Sequence, residues 1–151
     1  MSEQEEIQKL INICKSADKT DIKYCFGRVP NHIALEISRL TQINIINADK
    51  LINVYGLMHA FKNHSDKKEQ EKRGQLPIVF EDFLLIPEIV NNYTEVQIAN
   101  SDRRGNPGIY FIKKINNIKY QVCMTYTEKR DHRTDEIKKT LTVSTMFKKK
   151  I

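Results

Sequence analysis

The second half of the chain contains a strong hairpin signal, and this feature constrains the fold more than any other. Two runs rich in β-branched and aromatic residues, 109–115 and 118–127, are separated only by Asn116 and Asn117. Asparagine accepts the positive φ angles that a two-residue hairpin turn requires. The sequence therefore predicts two antiparallel strands that are adjacent in a sheet.

Two further runs are expected to extend this sheet. Val96 and Ile98 alternate with polar neighbours, as the residues of a half-buried strand do, and residues 140–147 are dense in β-branched side chains. The polar residues 128–139 predict a long connection before the last strand. Four consecutive strands of this kind predict an antiparallel meander.

The first half of the chain has helical spacing instead. Apolar residues recur three or four positions apart in residues 3–15, in a segment that ends near Thr41, and in a third segment that begins near Asp49. The polar residues 15–20 predict a connection after the first helix. The sequence therefore predicts an all-helical first half.

A length of 151 residues allows one domain with a real core, but not two comfortable ones. We therefore expect residues 1–151 to form a single α+β domain, in which N-terminal helices pack on a four-stranded twisted antiparallel sheet. The helical half is expected to cover about 1–92 and the sheet half about 93–151.

The chain is basic, and its positive charge is unevenly placed. It carries 25 Lys and Arg against 19 Asp and Glu, a net charge of +6, and the excess lies after the first third of the sequence. Such a surface attracts polyanions, of which nucleic acid is the commonest. A lysine-rich solvated face without any acidic partner is the alternative explanation.

Three cysteines, Cys14, Cys25 and Cys123, show neither CxxC spacing nor a cysteine–histidine metal pattern. This odd set indicates free thiols in a reducing compartment. No apolar run approaches the length of a membrane span, and the acidic N-terminus does not resemble a signal peptide. We therefore expect a cytoplasmic protein with no metal, no cofactor and no membrane partner. Delivery into the cytoplasm of a target cell is an alternative.

Two of the histidines, His59 and His64, share the segment GLMHAFKNHSD. A zinc-protease helix needs two histidines four positions apart with Glu between them, and neither condition holds here. A separation of five turns the second side chain by about 140° around a helix, so both can meet one ligand only if the helix stops between them. Lys62, three positions after His59, can share its face. The alternative is one surface histidine and one helix-end histidine without chemistry.

Several short motifs follow one another in the order HAFKNH, RGQLPI, EDFLLIPEIV, IKYQVCMTY and LTVSTMFK. Their order and spacing resemble the phage-type nucleases of the barnase, EndoU, colicin and RelE superfamily, and the upstream segment FGRVPNHIALEISRLTQINI is similar to the lead-in helix of those domains. The resemblance covers residues 22–148, with Ser65 standing where members often have Gly after the second histidine. It implies leading helices that carry a histidine motif, followed by a four-stranded antiparallel sheet.

The resemblance also implies a metal-independent endoribonuclease of toxin type, encoded on a phage or other mobile element, that cuts tRNA or other structured RNA. In such a reaction the ribose 2′-hydroxyl attacks the adjacent phosphorus, which requires a base, an acid and fixed positive charge. Histidine suits the first two roles because its reference pKa of about 6.5 allows both protonation states near neutrality. His59 and His64 are the expected acid/base pair, with the two roles unassigned.

Thr145 and Lys148 complete the expected catalytic set. Thr145 suits a hydrogen bond to the phosphate and Lys148 suits charge stabilisation. Lys62 or Arg73 could also supply that charge. In a regular strand Thr145 and Lys148 take opposite faces unless a bulge intervenes. If the apolar residues of this strand face the helices, Ser144 and Lys148 form the better pair.

Further residues are expected to bind the RNA. Arg103 and Arg104, in a loop rich in Gly, Asn and Pro, suit phosphate contacts, and Tyr120 suits stacking on an unpaired base. An exposed turn without a role and a core aromatic are the alternatives. If the protein is toxic to its host, we expect an acidic immunity or antitoxin protein to cover the basic face.

Two other function classes stay open at this point. The same scaffold could serve as a catalytically inactive nucleic-acid-binding module or as a protein-interaction domain. The three classes differ in one geometric requirement: a ribonuclease needs a histidine and a basic side chain that converge on one cleft against the sheet.

Overall fold

Helices and strands alternate in the first half of the chain, whereas the second half is built from strands. The computed structural model describes residues 1–16 and 20–151, so the polar connection expected at 15–20 lies partly outside the described residues. The elements are, in chain order, α1 (Glu3–Lys15), β1 (Lys23–Arg28), α2 (Asn31–Thr41), β2 (Asp49–Asn53), α3 (Val54–His64), α4 (Lys67–Lys72), a 3₁₀ helix (Phe80–Leu85), α5 (Ile86–Asn91), β3 (Glu95–Ala99), β4 (Gly108–Ile115), β5 (Ile118–Arg130) and β6 (Ile137–Lys150). No helix in the described part of the chain is long and apolar enough to cross a membrane.

The first helix forms where the local signals predict it. The Ser2 hydroxyl accepts a hydrogen bond from the Glu5 backbone N–H at 3.2 Å, which caps the N-terminus of α1. Ile7 and Leu10 lie on the face of α1 that is buried in the core. The helix predicted at residues 3–15 is therefore confirmed.

The six strands form one mixed sheet in the order β1-β2-β6-β5-β4-β3. Strands β2 and β6 are parallel, and every other neighbouring pair in this sheet is antiparallel. The α+β class is confirmed, but the expectation of four antiparallel strands is wrong. The meander β3 to β6 is present, and β1 and β2 from the first half of the chain add to it at its β6 edge.

Strand β2 lies where the sequence predicts the start of the third helix. Residues 50–52 are all buried, so this strand is covered on both faces and lacks the polar alternation that identifies a half-exposed strand. A short apolar run of this kind does not distinguish a buried strand from a buried helix. The helix itself, α3, begins at Val54, after the Asn53 side chain accepts a hydrogen bond from the Gly56 N–H at 2.8 Å.

The two hairpins differ in how well they were predicted. The turn between β4 and β5 is the Asn116-Asn117 turn, with φ angles of 49° and 64°, as expected. Half of the connection predicted at 128–139 is strand, because β5 and β6 stay paired out to Arg130 and Ile137. Apart from Ile137 this outer part of the hairpin is polar on both faces, so its sequence carries no apolar alternation.

The sheet has two different faces. Helices α1, α2 and α5 share a core with one of them, the helix face, which carries Val122 and Met124 of β5 and Leu141, Val143 and Met146 of β6. We call the opposite surface the groove face. It carries Thr125 and Thr127 of β5 and Thr142, Thr145 and Phe147 of β6.

A bulge in β6 decides which side chains reach each face. Cys123 of β5 pairs with Thr145, but the next residue, Met124, pairs with Val143, so Ser144 is an extra residue in β6. The alternation of side chains is therefore reversed after Ser144. Thr145 leaves the apolar set with which a regular strand would group it and joins the groove face.

Helix α3 follows β2 along the same edge of β6. The pairing of β2 with β6 extends only to Leu51 opposite Thr142, and α3 then continues along the same edge. Gly56 allows the close approach, because a Cβ atom at this position would lie 2.1 Å from the Val143 carbonyl oxygen. This arrangement brings the histidines of α3 to the edge of the groove face.

Candidate active site

His59 is anchored to the bulge of β6. Its Nδ1 lies 3.1 Å from the backbone carbonyl oxygen of Ser144. A carbonyl oxygen only accepts hydrogen bonds, so Nδ1 must carry the proton in this contact, and Nε2 is the unprotonated nitrogen of the neutral ring. The side chain is exposed, which leaves Nε2 accessible from solvent.

His64, the last residue of α3, is anchored in the same way by a side chain. Its Nδ1 lies 3.2 Å from Oε1 of Gln70, a fully buried residue of α4. The amide nitrogen of Gln70 donates to the Asn63 carbonyl at 3.0 Å, so Oε1 must be the acceptor for the histidine. His64 therefore also carries its proton on Nδ1 when neutral and keeps Nε2 for proton transfer.

The two histidines approach β6 at neighbouring positions of the strand. His59 contacts Ser144, and the ring of His64 lies 5.5 Å from the ring of Phe147, three residues further along. Five residues of helix advance by about 7.5 Å and three residues of strand by about 10 Å. These lengths are similar, so two histidines five residues apart on α3 can contact β6 at positions three residues apart. The helix does not stop between the histidines, as one expectation required, but ends at the second of them.

The environment of His64 favours its neutral form. Burial lowers the pKa of His64 below its ordinary value, and the positive charges of Arg73 and His59 lower it further, while the carboxamides of Gln70 and Gln75 act in the opposite direction. His64 is therefore largely neutral near pH 7.

Thr145 lies between the two histidine contacts on β6. Its hydroxyl is buried on the groove face and has no hydrogen-bond partner among the described residues. Buried hydroxyls almost always have such a partner, and leaving one unsatisfied costs about 1–3 kcal/mol. The Gln75 side-chain oxygen is buried beside His64 and acts on its ring as a hydrogen-bond acceptor. The Thr145 hydroxyl therefore has hydrogen-bonding capacity that the described residues do not use.

Arg73 supplies positive charge at the same place. Its guanidinium donates to the Asn63 carbonyl at 3.3 Å, the same oxygen that holds Gln70, and it is exposed beside His64. This carbonyl belongs to the last turn of α3, where backbone oxygens lack partners within the helix. The structure therefore brings together four of the predicted residues, His59, His64, Thr145 and Arg73.

The structure does not bring Lys148 and Tyr120 to this site. The reversal of side chains after Ser144 directs Lys148 to the helix face, where its Nζ lies 2.8 Å from Oδ2 of Asp82, with only 12% and 7% of the two side chains exposed. The same ammonium lies 5.9 Å from the centre of the Tyr120 ring, and Tyr120 is 6% exposed. The stacking role predicted for Tyr120 is therefore wrong, and the expected pairing of Ser144 with Lys148 does not occur.

The remaining predicted RNA contacts lie around the site. Lys62 is exposed on α3, and Arg103 and Arg104 are exposed in the loop between β3 and β4. Asp102 in that loop lines a groove of about 380 Å³ together with His59. The two arginines therefore follow, in the chain, a residue that lines the groove containing His59.

Sequence reasoning missed Gln70 and Gln75. Both lie in the polar segment that follows α3, which reads as a solvated run because its neighbours are charged. Asp66 was an available signal: its side chain accepts from the Glu69 N–H at 3.0 Å and caps α4, the short helix that places Gln70 beneath His64.

Metal-ligating side chains do not cluster in this region. Across residues 1–16 and 20–151, no three His, Cys, Asp or Glu side chains come together as a metal site would require. The groups that line the candidate site are two imidazoles, a hydroxyl, a guanidinium and two carboxamides.

One of three comparisons with known proteins identifies a family for this chain. The family model described as phage-Barnase-EndoU-ColicinE5/D-RelE like nuclease 3 matches residues 27–151, which include every candidate residue named above. Neither the curated proteins nor the solved structures yield a significant match. The chain therefore belongs to the phage-type Barnase-EndoU-ColicinE5/D-RelE like nuclease family 3.

Proposed function

We propose that this nuclease is a metal-independent endoribonuclease that uses His59 and His64 as its acid/base pair. The observation that supports this most directly is that both rings are held through Nδ1, by the Ser144 carbonyl and the Gln70 carboxamide. In each neutral ring Nε2 is therefore the nitrogen that can exchange a proton with a substrate.

His64 is the proposed base and His59 the proposed acid. Neutral His64 takes the proton of the ribose 2′-hydroxyl, whose oxygen then attacks the adjacent phosphorus. His59, as the imidazolium, gives its Nε2 proton to the departing 5′-oxygen, and a 2′,3′-cyclic phosphate remains. Burial and the charge of Arg73 keep His64 neutral, which suits the base.

Arg73 and Thr145 are proposed to stabilise the charge that develops on the phosphorane. The guanidinium is fixed by the Asn63 carbonyl and remains partly exposed, so further N–H groups can reach phosphate oxygens. The Thr145 hydroxyl can donate to a non-bridging oxygen and so gain the partner that it lacks.

The substrate class follows from this chemistry. A nucleophilic 2′-hydroxyl restricts the reaction to RNA. We propose tRNA or another structured RNA as the target and a toxin-type role on a phage or mobile element. An acidic immunity or antitoxin protein that covers Lys62, Arg73, Arg103 and Arg104 would then be the expected inhibitor.

The decisive experiment is cleavage of total tRNA in EDTA by the wild-type protein and by His59→Ala, His64→Ala and His32→Ala variants. Loss of an acid or base lowers the rate by about 10²–10⁴-fold. His32, at the start of α2, contacts the helix-face cavity and is the matched control, so His32→Ala should retain the wild-type rate.

A second substrate tests the nucleophile. An oligonucleotide that carries a single 2′-deoxy sugar at the mapped cleavage position should resist cleavage there, because it lacks the attacking hydroxyl. Equal cleavage of that oligonucleotide, or equal activity of both histidine variants, would contradict the proposal. Intact RNA together with a retained gel shift would favour the inactive binding module instead.

A further inference from the structure

We propose that the RNA strand extends from the histidines along a cationic groove on the groove face, where Lys23, Lys129 and Lys138 bind its phosphates. This inference rests on the proposed function, because it assigns a path to the same substrate. The path runs outward along the β5–β6 hairpin, from Ser144 past Thr142 and Thr127.

Two grooves on the groove face are continuous. The groove at His59 and the outer groove share Asn53, Thr127 and Thr142 as lining residues. The outer groove adds Lys23 of β1, Lys129 of β5 and Lys138 of β6. A strand that enters at the histidines can therefore continue into the outer groove without crossing the sheet.

The charges of the outer groove suit a polyanion. Three lysines line it against one carboxylate, that of Asp21, and within the described residues none of the three lysines forms an ion pair. Unpaired ammonium groups on a surface that also carries hydroxyls are suited to phosphate oxygens.

The pairing of the hairpin adds an independent observation. Lys129 and Lys138 are directly opposite each other in the β5–β6 ladder. Like charges at opposed positions destabilise a sheet, and an anion between them removes the repulsion. Thr127 and Thr140 form the preceding pair on the same face, with their hydroxyl oxygens 2.6 Å apart. The two rows together form a strip of donors that continues from Thr142.

The length of the strip sets the length of RNA that it can bind. Six residues separate Ser144, beside His59, from Lys138, which corresponds to about 20 Å of strand. At about 3.4 Å per nucleotide, the rise along one strand of a duplex, this distance accommodates at most about six nucleotides on one side of the cleaved bond. A substrate with only two nucleotides on each side cannot reach the paired lysines.

The test compares two matched lysine pairs. Lys114 and Lys119 are also directly opposite each other, on the same face, but at the far end of β4 and β5, where they line a separate cavity. Lys129→Gln/Lys138→Gln and Lys114→Gln/Lys119→Gln therefore make the same change in charge at different places. Cleavage by each is measured with a 4-nucleotide and a 16-nucleotide single-stranded RNA that contain the same mapped site.

We expect the Lys129→Gln/Lys138→Gln variant to have a KM for the long RNA about tenfold above that of the wild type, with little change in kcat. Its KM and kcat for the short RNA should equal those of the wild type. In the His64→Ala background, where cleavage is suppressed, the slope of log affinity against log salt for the long RNA should become shallower by about 1.4 units, or about 0.7 per lost contact. Lys114→Gln/Lys119→Gln should change neither quantity.

Failure of the proposed RNA path and failure of the proposed catalytic function give different results. Normal KM in the outer-groove variant, or an equal effect in both variants, overturns the proposed path while leaving the endoribonuclease intact. If the wild type cuts no RNA, but its salt-dependent RNA affinity requires Lys129 and Lys138, the groove stands as a binding site and the proposed catalytic function fails.

Discussion

Two lysines of β6 show how different the two faces of the sheet are. Lys148 is buried on the helix face in an ion pair with Asp82, whereas Lys138 lies on the groove face without any ion pair in the described structure. The same contrast holds for neutral groups, since the Thr145 hydroxyl on the groove face has no partner. The buried charge of Lys148 is neutralised within the protein, whereas the described residues give Lys138 no ion pair and the Thr145 hydroxyl no hydrogen bond. The bulge at Ser144 is the reason that Thr145 lies on the groove face and Lys148 on the helix face.

The largest effect on stability is expected from breaking the buried ion pair. Lys148→Met leaves the Asp82 carboxylate buried without its counter-charge, and such a loss costs about 3–5 kcal/mol. We expect the free energy of unfolding in urea to fall by this amount. RNA cleavage per folded molecule should stay at the wild-type level, since Lys148 does not reach the groove face.

The double variant Lys148→Met/Asp82→Leu is the control, because it removes both charges. It should recover much of the lost stability, although the Val79 N–H then loses the Asp82 oxygen that it contacts at 2.9 Å. A fully folded Lys148→Met protein with a strongly reduced cleavage rate would show instead that Lys148 takes part in catalysis.

The second prediction concerns the contact that joins α3 to the sheet. Gly56→Ala places a Cβ against the Val143 carbonyl and the Asn53 side chain, which must move apart. Overpacking of this kind costs about 1–3 kcal/mol or more. Because the shift separates α3 from β6, cleavage should fall as well, through loss of the contact between His59 and Ser144.

A matched substitution separates the clash from the loss of a glycine. Gly105→Ala lies in open space at a φ of 82° and changes only the local backbone preference. It should cost about 1 kcal/mol without affecting cleavage. Equal cleavage by the Gly56→Ala and Gly105→Ala proteins would argue against the positioning of His59 by α3.

The third prediction uses the unsatisfied hydroxyl of Thr145. Thr145→Val removes a buried polar group that has no partner and keeps the shape of the side chain, so unfolding should require about 1 kcal/mol more free energy. The same substitution should reduce cleavage, because the phosphorane loses a hydrogen-bond donor. Thr145→Ser, which keeps the hydroxyl, should retain most of the activity. A Thr145→Val protein with normal kcat would remove Thr145 from the proposed site.

Local signals predicted the elements whose conformation depends on a few neighbouring residues. Asn116 and Asn117 mark the hairpin because their own φ angles make the turn, and Ser2 marks α1 because its side chain caps the helix. Strand β2 was not predictable in this way, since it depends on parallel pairing with β6, about ninety residues further along the chain.

The residues of the candidate site also differ in how far the sequence could predict them. The resemblance to a nuclease family pointed to His59 and His64, whose local spacing alone favoured no shared ligand. The choice between Thr145 and Lys148 depended on the bulge at Ser144, which has no recognisable signature in this sequence. Gln70 was missed because a buried residue inside a charged segment can be recognised only when α4 is seen to pack beneath His64.

The last prediction concerns the pH dependence that His64 imposes. Its pKa in the folded protein is lowered by burial first and by Arg73 and His59 next, whereas the unfolded chain has the ordinary value of about 6.5. The unfolded state therefore binds the proton more readily, so the stabilising contribution is complete above about pH 6.5 and is lost as the pH falls toward the lower folded-state pKa. His64→Gln should flatten this part of the stability profile.

Arg73→Gln provides the sharper measurement, because it changes the pKa of His64 without replacing the ring. Removing the guanidinium should raise the pKa of His64, observed by NMR titration of the ring protons, and should shift the acid limb of kcat/KM to higher pH by the same amount. An equal shift in both measurements identifies His64 as the group whose neutral form is required. If the ring titration moves and the acid limb does not, the base is another group, and the available candidate on the groove face is His59 with its free Nε2.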